Sequence, residues 1–136
     1  MKVFFDNCTA PVMAHTLHGF ISNDGHEAVH LRDLPLAHPT DVEWIRYLAQ
    51  DGVDWIVITG DGRIRKNKPE REAFRQARLK GIVLAPAFQK TPMSRCCAVL
   101  VDRWPYLLDT MGRFNPPVLF EMGIKFSGKF TQLTMG

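Results

Sequence analysis

Three aspartates, Asp6, Asp41 and Asp61, stand where a fold of alternating strands and helices could gather them. The stretch "DWIVITGDGRIRKN", residues 54 to 67, poses the question most sharply. An apolar run ends at Asp61, and Arg63, Arg65, Lys66 and Lys68 follow almost at once. Carboxylates that converge in one cleft repel each other, and burying each is expensive unless a cation compensates. Mg2+ or Mn2+ is the usual compensation, a hard ion held by oxygen ligands with water completing the shell. The cations after Asp61 are too close to it in sequence to lie far away, and they suit a polyanion. Each acid also has a plain structural role open to it. Asp6 could close a strand, Asp41 could stabilise a helix N-terminus, and Asp61 could sit in an Asp-Gly turn. Their joint placement favours a site.

Softer metals find no comparable ligand set. All five histidines lie between His15 and His38. His26 and His30 flank an expected strand, where a spacing of four does not bring side chains together. His15 and His18 could share a helix face, but two ligands alone make a weak site. Cys8, Cys96 and Cys97 lack the C-x-x-C spacing of a zinc site. They cannot all pair, and the adjacent two disfavour a bridge, so a reduced, cytoplasmic protein is expected.

The elements that must position the acids alternate. "KVFFD" is a strand ending on Asp6. Pro11 opens a helix that "NDGH" ends, and "EAVHL" is a second strand. After the proline-containing loop "LPLAHPT", Thr40 opens a helix with Glu43 at the capping-box spacing. Trp44, Ile45, Leu48 and Ala49 form its expected buried stripe, and Gly52 closes it. Asp41 shares that inward stripe, so a charge in the first turn should face a cleft at the rim of the core. "DWIVITG" is a buried strand. Pro69 starts a further helix, which Gly81 is expected to stop. "IVLAPAF" is a fourth strand. A helical stretch from about Ser94 to Met111 should be kinked or split by Pro105. "VLFEMGIKFSGKFTQL" gives a strand and then a hairpin turning at Ser127-Gly128.

Such alternation predicts an α/β fold: a three-layer α/β/α sandwich on a mainly parallel central sheet, with a C-terminal strand and hairpin extension. Residues 1–136 are expected to form a single domain. Reactive groups in such sheets lie beyond the carboxyl ends of the strands, which is where Asp6 and Asp61 fall. The 46% apolar and 23% charged composition is that of an ordinary globular chain. No apolar run approaches the roughly 18 residues of a membrane span, and "MKVFFDNCTAPVMAH" meets an acid too soon for a signal peptide. The net charge of +3 hides a division. Residues 24 to 61 carry eight acids against two arginines, whereas residues 63 to 80 carry eight cations against Glu70 and Glu72. The bland account of that cationic run is a solvated helix face.

"VFFDN", "HPTDVEWIRYLAQDG" and "DWIVITGDGRIRKNKPE" resemble, in that order and spacing, the PIN-like ribonucleases of VapC-type toxins. The resemblance covers roughly residues 1 to 90. It implies a metal-dependent ribonuclease using Mg2+ or Mn2+, the toxin of a toxin–antitoxin pair. RNA would be its substrate, a cognate antitoxin protein its partner, and a homodimer a possible assembly. By position it implies that Asp6, Asp41 and Asp61 are the metal-binding and catalytic acids. Arg63, Arg65, Lys66 and Lys68 would then bind the substrate's phosphates, which fixes its position without reading its sequence. Two departures stand out. Asn7 follows Asp6 where many relatives have a second acid. No clear fourth carboxylate follows Asp61, whose neighbour is Gly62; Glu43 could serve, although the capping box explains it equally. Trp44, Trp55 and Trp104 could stack bases, but the first two read first as core.

Two other functions fit the same residues. A receiver-like signalling domain would use Asp61 as phosphoacceptor and Lys125 as its late lysine, though it would want a second acid beside Asp6. A catalytically inactive PIN-like module that binds nucleic acid or an antitoxin would keep the charge pattern without the chemistry.

Overall fold

The computed structural model describes residues 1–135. Strand β1 (Lys2–Phe5), helix α1 (Pro11–Ile21), β2 (Glu27–His30), α2 (Asp41–Gln50) and β3 (Trp55–Thr59) alternate as expected. They are followed by α3 (Arg63–Lys66), α4 (Lys68–Gln76), β4 (Lys80–Leu84), α5 (Met93–Arg113), β5 (Val118–Met122) and β6 (Thr131–Leu133). The six strands form one sheet in the order β2-β1-β3-β4-β5-β6. The first five are parallel, and β6 returns antiparallel along β5. The expected C-terminal hairpin is therefore present, with Gly128 at φ +105° in its connection.

Alternation along each strand divides the core into two layers. Val3, Phe5, Ile56, Ile58, Ile82 and Phe120 face α1 and α5. Phe4, Val57, Val83 and Leu119 face Trp44, Ile45 and Leu48 of α2 and Phe74 of α4. This is an α/β sandwich with helices on both faces. Trp44, Trp55 and Trp104 are all buried, so none presents a free face for stacking bases. No helix is long and apolar enough to cross a membrane among the described residues.

Four details depart from the sequence reading. Ala49 is exposed, leaving Trp44, Ile45 and Leu48 as the stripe of α2. Gly81 does not stop a helix. Helix α4 ends at Gln76, with Arg78 at φ +53° turning the chain, and Gly81 lies inside β4. A Cβ there would come within 2.7 Å of Leu119 and 2.9 Å of Phe74, so glycine lets α4 press on the sheet. β4 is correspondingly shifted towards the N-terminus, and Pro86–Lys90 forms a 3-10 turn rather than strand. Pro105 leaves α5 as one helix of 21 residues. Val99, Leu100, Trp104, Leu107 and Met111 are buried on both sides of the proline, and that packing holds the turns together.

The order places β2 on one side of β1 and β3 on the other. The carboxyl ends of β1 and β3 therefore flank the point where the winding of the sheet reverses, where α/β folds bind their ligands.

Candidate acidic crevice

Asp6 follows the last residue of β1, and its amide donates to Ile58 O of β3 at 3.1 Å, extending the ladder by one bond. That bond seats the carboxyl group beside the end of β3. There Thr59 Oγ1 donates to Asp6 Oδ2, while the amides of Cys8 (3.1 Å) and Gly60 (3.4 Å) donate to Oδ1. Asp6 is only 4% exposed. Burial pushes its carboxyl up to about 6 in spite of these hydrogen bonds, with the Asp61 charge adding to the rise.

Asp61 stands two residues beyond β3 and is more open. Its Oδ1 accepts from the Arg63 amide at 2.9 Å. Its Oδ2 accepts from Cys8 Sγ at 2.8 Å and Arg63 Nε at 3.2 Å. Partial burial works against its charge, but the thiol, the amide and the guanidinium outweigh it and hold the carboxyl below its ordinary value. The reciprocal effect falls on Cys8. Desolvation of its sulfur, the Asp61 hydrogen bond and the two nearby carboxylates push the thiol up to about 12. Cys8 is thus a neutral donor to Asp61 and no thiolate at neutral pH.

Asp41 is the first residue of α2, which Thr40 caps as the sequence predicts. Its Oδ1 accepts from Trp44 Nε1 at 2.9 Å, and its Oδ2 lies 4.0 Å from an Arg63 terminal nitrogen. Arg63 thus bridges Asp41 and Asp61, and the three aspartates expected from the sequence do share one crevice. Glu43 does not join them. It is exposed, and its Oε1 accepts from the Thr40 amide at 3.0 Å, closing the capping box.

The fourth acid is Glu70 of α4, which the sequence reading passed over. It is 9% exposed, and its Oε2 has no hydrogen-bond partner. Burial, and next a hydrogen bond shared with Asp41, raise its carboxyl to about 7. An acid at the third position of a helix, after the cap Asn67, looks like another capping-box residue; its burial depends on α2 packing against α4. Thr59, which lies within the quoted strand motif, and Cys8 were likewise given no role.

The cations are less uniform than their sequence. Arg63 is in the crevice. Arg65 donates to Thr134 O at 2.8 Å and Thr134 Oγ1 at 3.4 Å, so the chain's own C-terminal segment holds it. Arg65 and Lys66 still line, with Asp61, a cleft of about 350 Å³ along the ends of β4 and β5. Lys68 is exposed. On the β2 side a wider cleft of about 520 Å³ passes Asn7, Arg32 and His38.

The donors fit a hard divalent ion in kind: oxygens from four carboxyl groups, one of them buried without a partner and two bridged by a cation. They do not form a closed site as they stand. Among the described residues, no three His, Cys, Asp or Glu side chains are arranged to hold a metal ion.

A sheet whose acids gather at its switch point defines an α/β protein built to bind at the carboxyl ends of its strands. A family model described as a PIN like domain matches residues 1–86, more than half of the chain, and the chain belongs to the PIN-like family, whose members are typically nucleases. Neither a curated protein nor a solved structure matches the chain.

Proposed function

We propose that the protein is a metal-dependent ribonuclease that hydrolyses RNA phosphodiester bonds in the crevice between β1 and β3. The observation that carries this reading is the convergence of Asp6, Asp41, Asp61 and Glu70 at the switch point of a PIN-like fold. Asp6, Asp41 and Asp61 would hold Mg2+ or Mn2+, with Glu70 beside Asp41. When bound, the ion supplies Lewis acidity toward the phosphate and lowers the pKa of water. Asp61, kept ionised by its donors, is the open carboxylate of the crevice. Asp6 and Glu70, both raised, hold their protons more tightly than free acids do, and those protons would pass to water where a divalent ion binds. Arg63 holds Asp41 and Asp61 together until the cation comes, and its guanidinium is then free for a phosphate oxygen. Lys66 and Lys68 extend that contact along the strand.

The finer reading, a toxin paired with a protein antitoxin, rests on the resemblance of the three motifs, in their order, to those of VapC-type toxins. A receiver finds less support: Lys125 lines a depression with Ala85, Arg103 and Gly128 that none of the four acids enters. Incubation with labelled RNA in Mn2+ and in EDTA, beside incubation with radiolabelled acetyl phosphate, separates the functions. Metal-dependent cleavage without protein labelling is expected. Labelling without cleavage identifies a receiver, and RNA binding without cleavage an inactive module.

A further inference from the structure

An apolar pocket of about 170 Å³ opens beside the acidic crevice, between the β1–α1 turn and the start of α5. Met13, Leu84, Phe88, Met93 and Cys96 form its apolar wall. At 170 Å³ it is well below the roughly 300 Å³ of pockets that hold drug-sized ligands, and it suits one flat ring system. Met93, an apolar side chain, is 41% exposed at its edge. Much of the remaining lining is polar. Cys8, Gly60, Gln89 and Thr91 belong to it, and Gly60 and Gln89 also line the cleft that holds Arg65 and Lys66 together with Asp61 and Glu121.

The partition between pocket and crevice is therefore thin. A Cβ on Gly60 would lie 2.4 Å from Cys8 O, so two backbones touch where the two spaces meet. Gly60 at once donates its amide to Asp6 Oδ1 and offers its carbonyl to Gln89 Nε2, both at a long 3.4 Å. The Gln89 side chain is exposed and weakly held, and it presents a donor and an acceptor side by side at the mouth.

We propose that this pocket receives one unstacked nucleobase of a single-stranded RNA substrate, the base of a nucleotide whose phosphate is met by Lys66 in the neighbouring cleft. The proposal rests on the ribonuclease reading and deepens it. A phosphate at Lys66 lies across the Gly60–Gln89 wall from the pocket, so its own base can enter where the pocket opens. Apolar walls take the ring faces, as in other single-strand binders. The paired donor and acceptor of Gln89 match a base edge. Methionine walls adapt to rings of different shape, so the pocket favours any base over none and prefers among bases only through Gln89. It also demands a strand whose bases are unstacked, which a duplex does not offer.

Fluorescence anisotropy tests this with a labelled mixed-sequence oligoribonucleotide and an abasic strand of equal length, both in EDTA to prevent cleavage. The intact strand is expected to bind at least about fivefold more tightly, the worth of one well-placed base. Thr91→Phe, which fills the pocket, should bring the intact strand down to the abasic level and leave abasic binding unchanged. Met93→Ser, at an exposed position where folding is not at stake, should reduce the preference in part. If both strands bind wild type equally, the pocket is not a base site while RNA binding stands. A preference that survives both variants undiminished places the base elsewhere and overturns the assignment. If neither strand binds, the ribonuclease reading falls and the pocket proposal falls with it.

Discussion

The first turns of α2 and α4 are built on one plan. Each has a polar cap, Thr40 or Asn67, whose side-chain oxygen accepts from the amide three residues on, and each has glutamate at that third position. Their glutamates end in different places. Glu43 turns back to its own cap and lies in solvent. Glu70 leaves its cap amide and is buried against Asp41, with one oxygen unpartnered. Local geometry is the same, so the difference is tertiary. Helix α4 lies against α2 and presents its first turn to the crevice, whereas the first turn of α2 presents Asp41 there and sends Glu43 outward. A buried, unpaired carboxyl group is unfavourable. The fold carries that burden at one glutamate and avoids it at the other, which marks Glu70 as part of the crevice.

The largest effects test that contrast on catalysis. Asp61→Asn keeps the side-chain volume and removes the charge, so metal-dependent cleavage should fall about a thousandfold, the scale of several kcal/mol of lost charge stabilisation. Asp6→Asn should fall equally. Glu70→Gln should cost about 10- to 100-fold, as expected for a group that supports the acids around it. Glu43→Gln should leave the rate unchanged. Single-turnover cleavage in saturating Mn2+ checks all four, and equal losses at Glu43 and Glu70 would erase the distinction between the two turns.

A second contrast lies in stability and needs no activity. The folded-state value of Asp6, about 6, is above the ordinary 3.8, so the folded chain binds this proton more tightly than the unfolded chain does. Without metal, stability is then greatest below about pH 4 and declines as the pH rises to about 6, by about 3 kcal/mol from this group. Asp6→Asn removes this group's share of the decline and leaves that of Glu70, which is raised likewise. The amide oxygen can keep the bonds from the Cys8 and Gly60 amides, and its nitrogen can donate to Thr59 Oγ1. Urea unfolding in EDTA should show the variant more stable than wild type at pH 7.5 and equal to it near pH 4. Comparing variant with wild type cancels the opposite trend of Asp61, whose value is lowered. Wild type in Mn2+ should regain the difference by mass action. Equal stabilities at pH 7.5 would mean that Asp6 carries no burial penalty.

Much of this was legible in the sequence, and what was not has a common cause. Strand periodicity and the Thr40 cap fixed where β1 and β3 end and where α2 begins, and therefore where Asp6, Asp61 and Asp41 lie. Those positions follow from contacts near in the chain and from the parallel ladder. Glu70 does not, because its signature is identical to that of Glu43 and only the packing of α2 on α4 separates them. Gly81 was misread for the same reason: a glycine after a helix is a stop signal, and only Phe74 and Leu119 show why this one sits in a strand. Pro105 was expected to kink or split α5; the helix is not split, because buried neighbours on both sides outweigh the lost hydrogen bond. The tether between Arg65 and Thr134 spans 69 residues and left no local trace.

That tether splits the cationic run into held and free members. Lys66→Ala with Lys68→Ala should flatten the salt dependence of RNA binding by about 1.4 to 1.8 in log–log slope, about 0.7 to 0.9 per lost phosphate contact. Arg65→Ala should change the slope by less than one such step, because Thr134 already engages its guanidinium. Its effect should appear instead as a loosened C-terminal segment, seen as faster amide exchange in β6. Anisotropy titrations at several salt concentrations distinguish the residues. A slope unaltered in the double lysine variant would leave the run as a solvated helix face.

The smallest effect concerns Arg63, which stands between the acids that the helices and the strands contribute. Its guanidinium is 3.2 Å from Asp61 Oδ2 and 4.0 Å from Asp41 Oδ2, and the side chain is 61% exposed. Ion pairs that open to water contribute at most about 1 kcal/mol, so Arg63 is a weak competitor for a divalent ion. Arg63→Met retains much of the side-chain length, removes the positive charge and leaves the backbone bond from residue 63 to Asp61 in place. Mn2+ measured calorimetrically without RNA should then bind more tightly, by about fivefold at most, the equivalent of that 1 kcal/mol. RNA binding in EDTA should weaken, because the same guanidinium is lost to the phosphate. The two changes have opposite signs, and a general disturbance of the fold would weaken both. Weaker Mn2+ binding in the folded variant would show that Arg63 organises Asp41 and Asp61 for the ion rather than occupying its place.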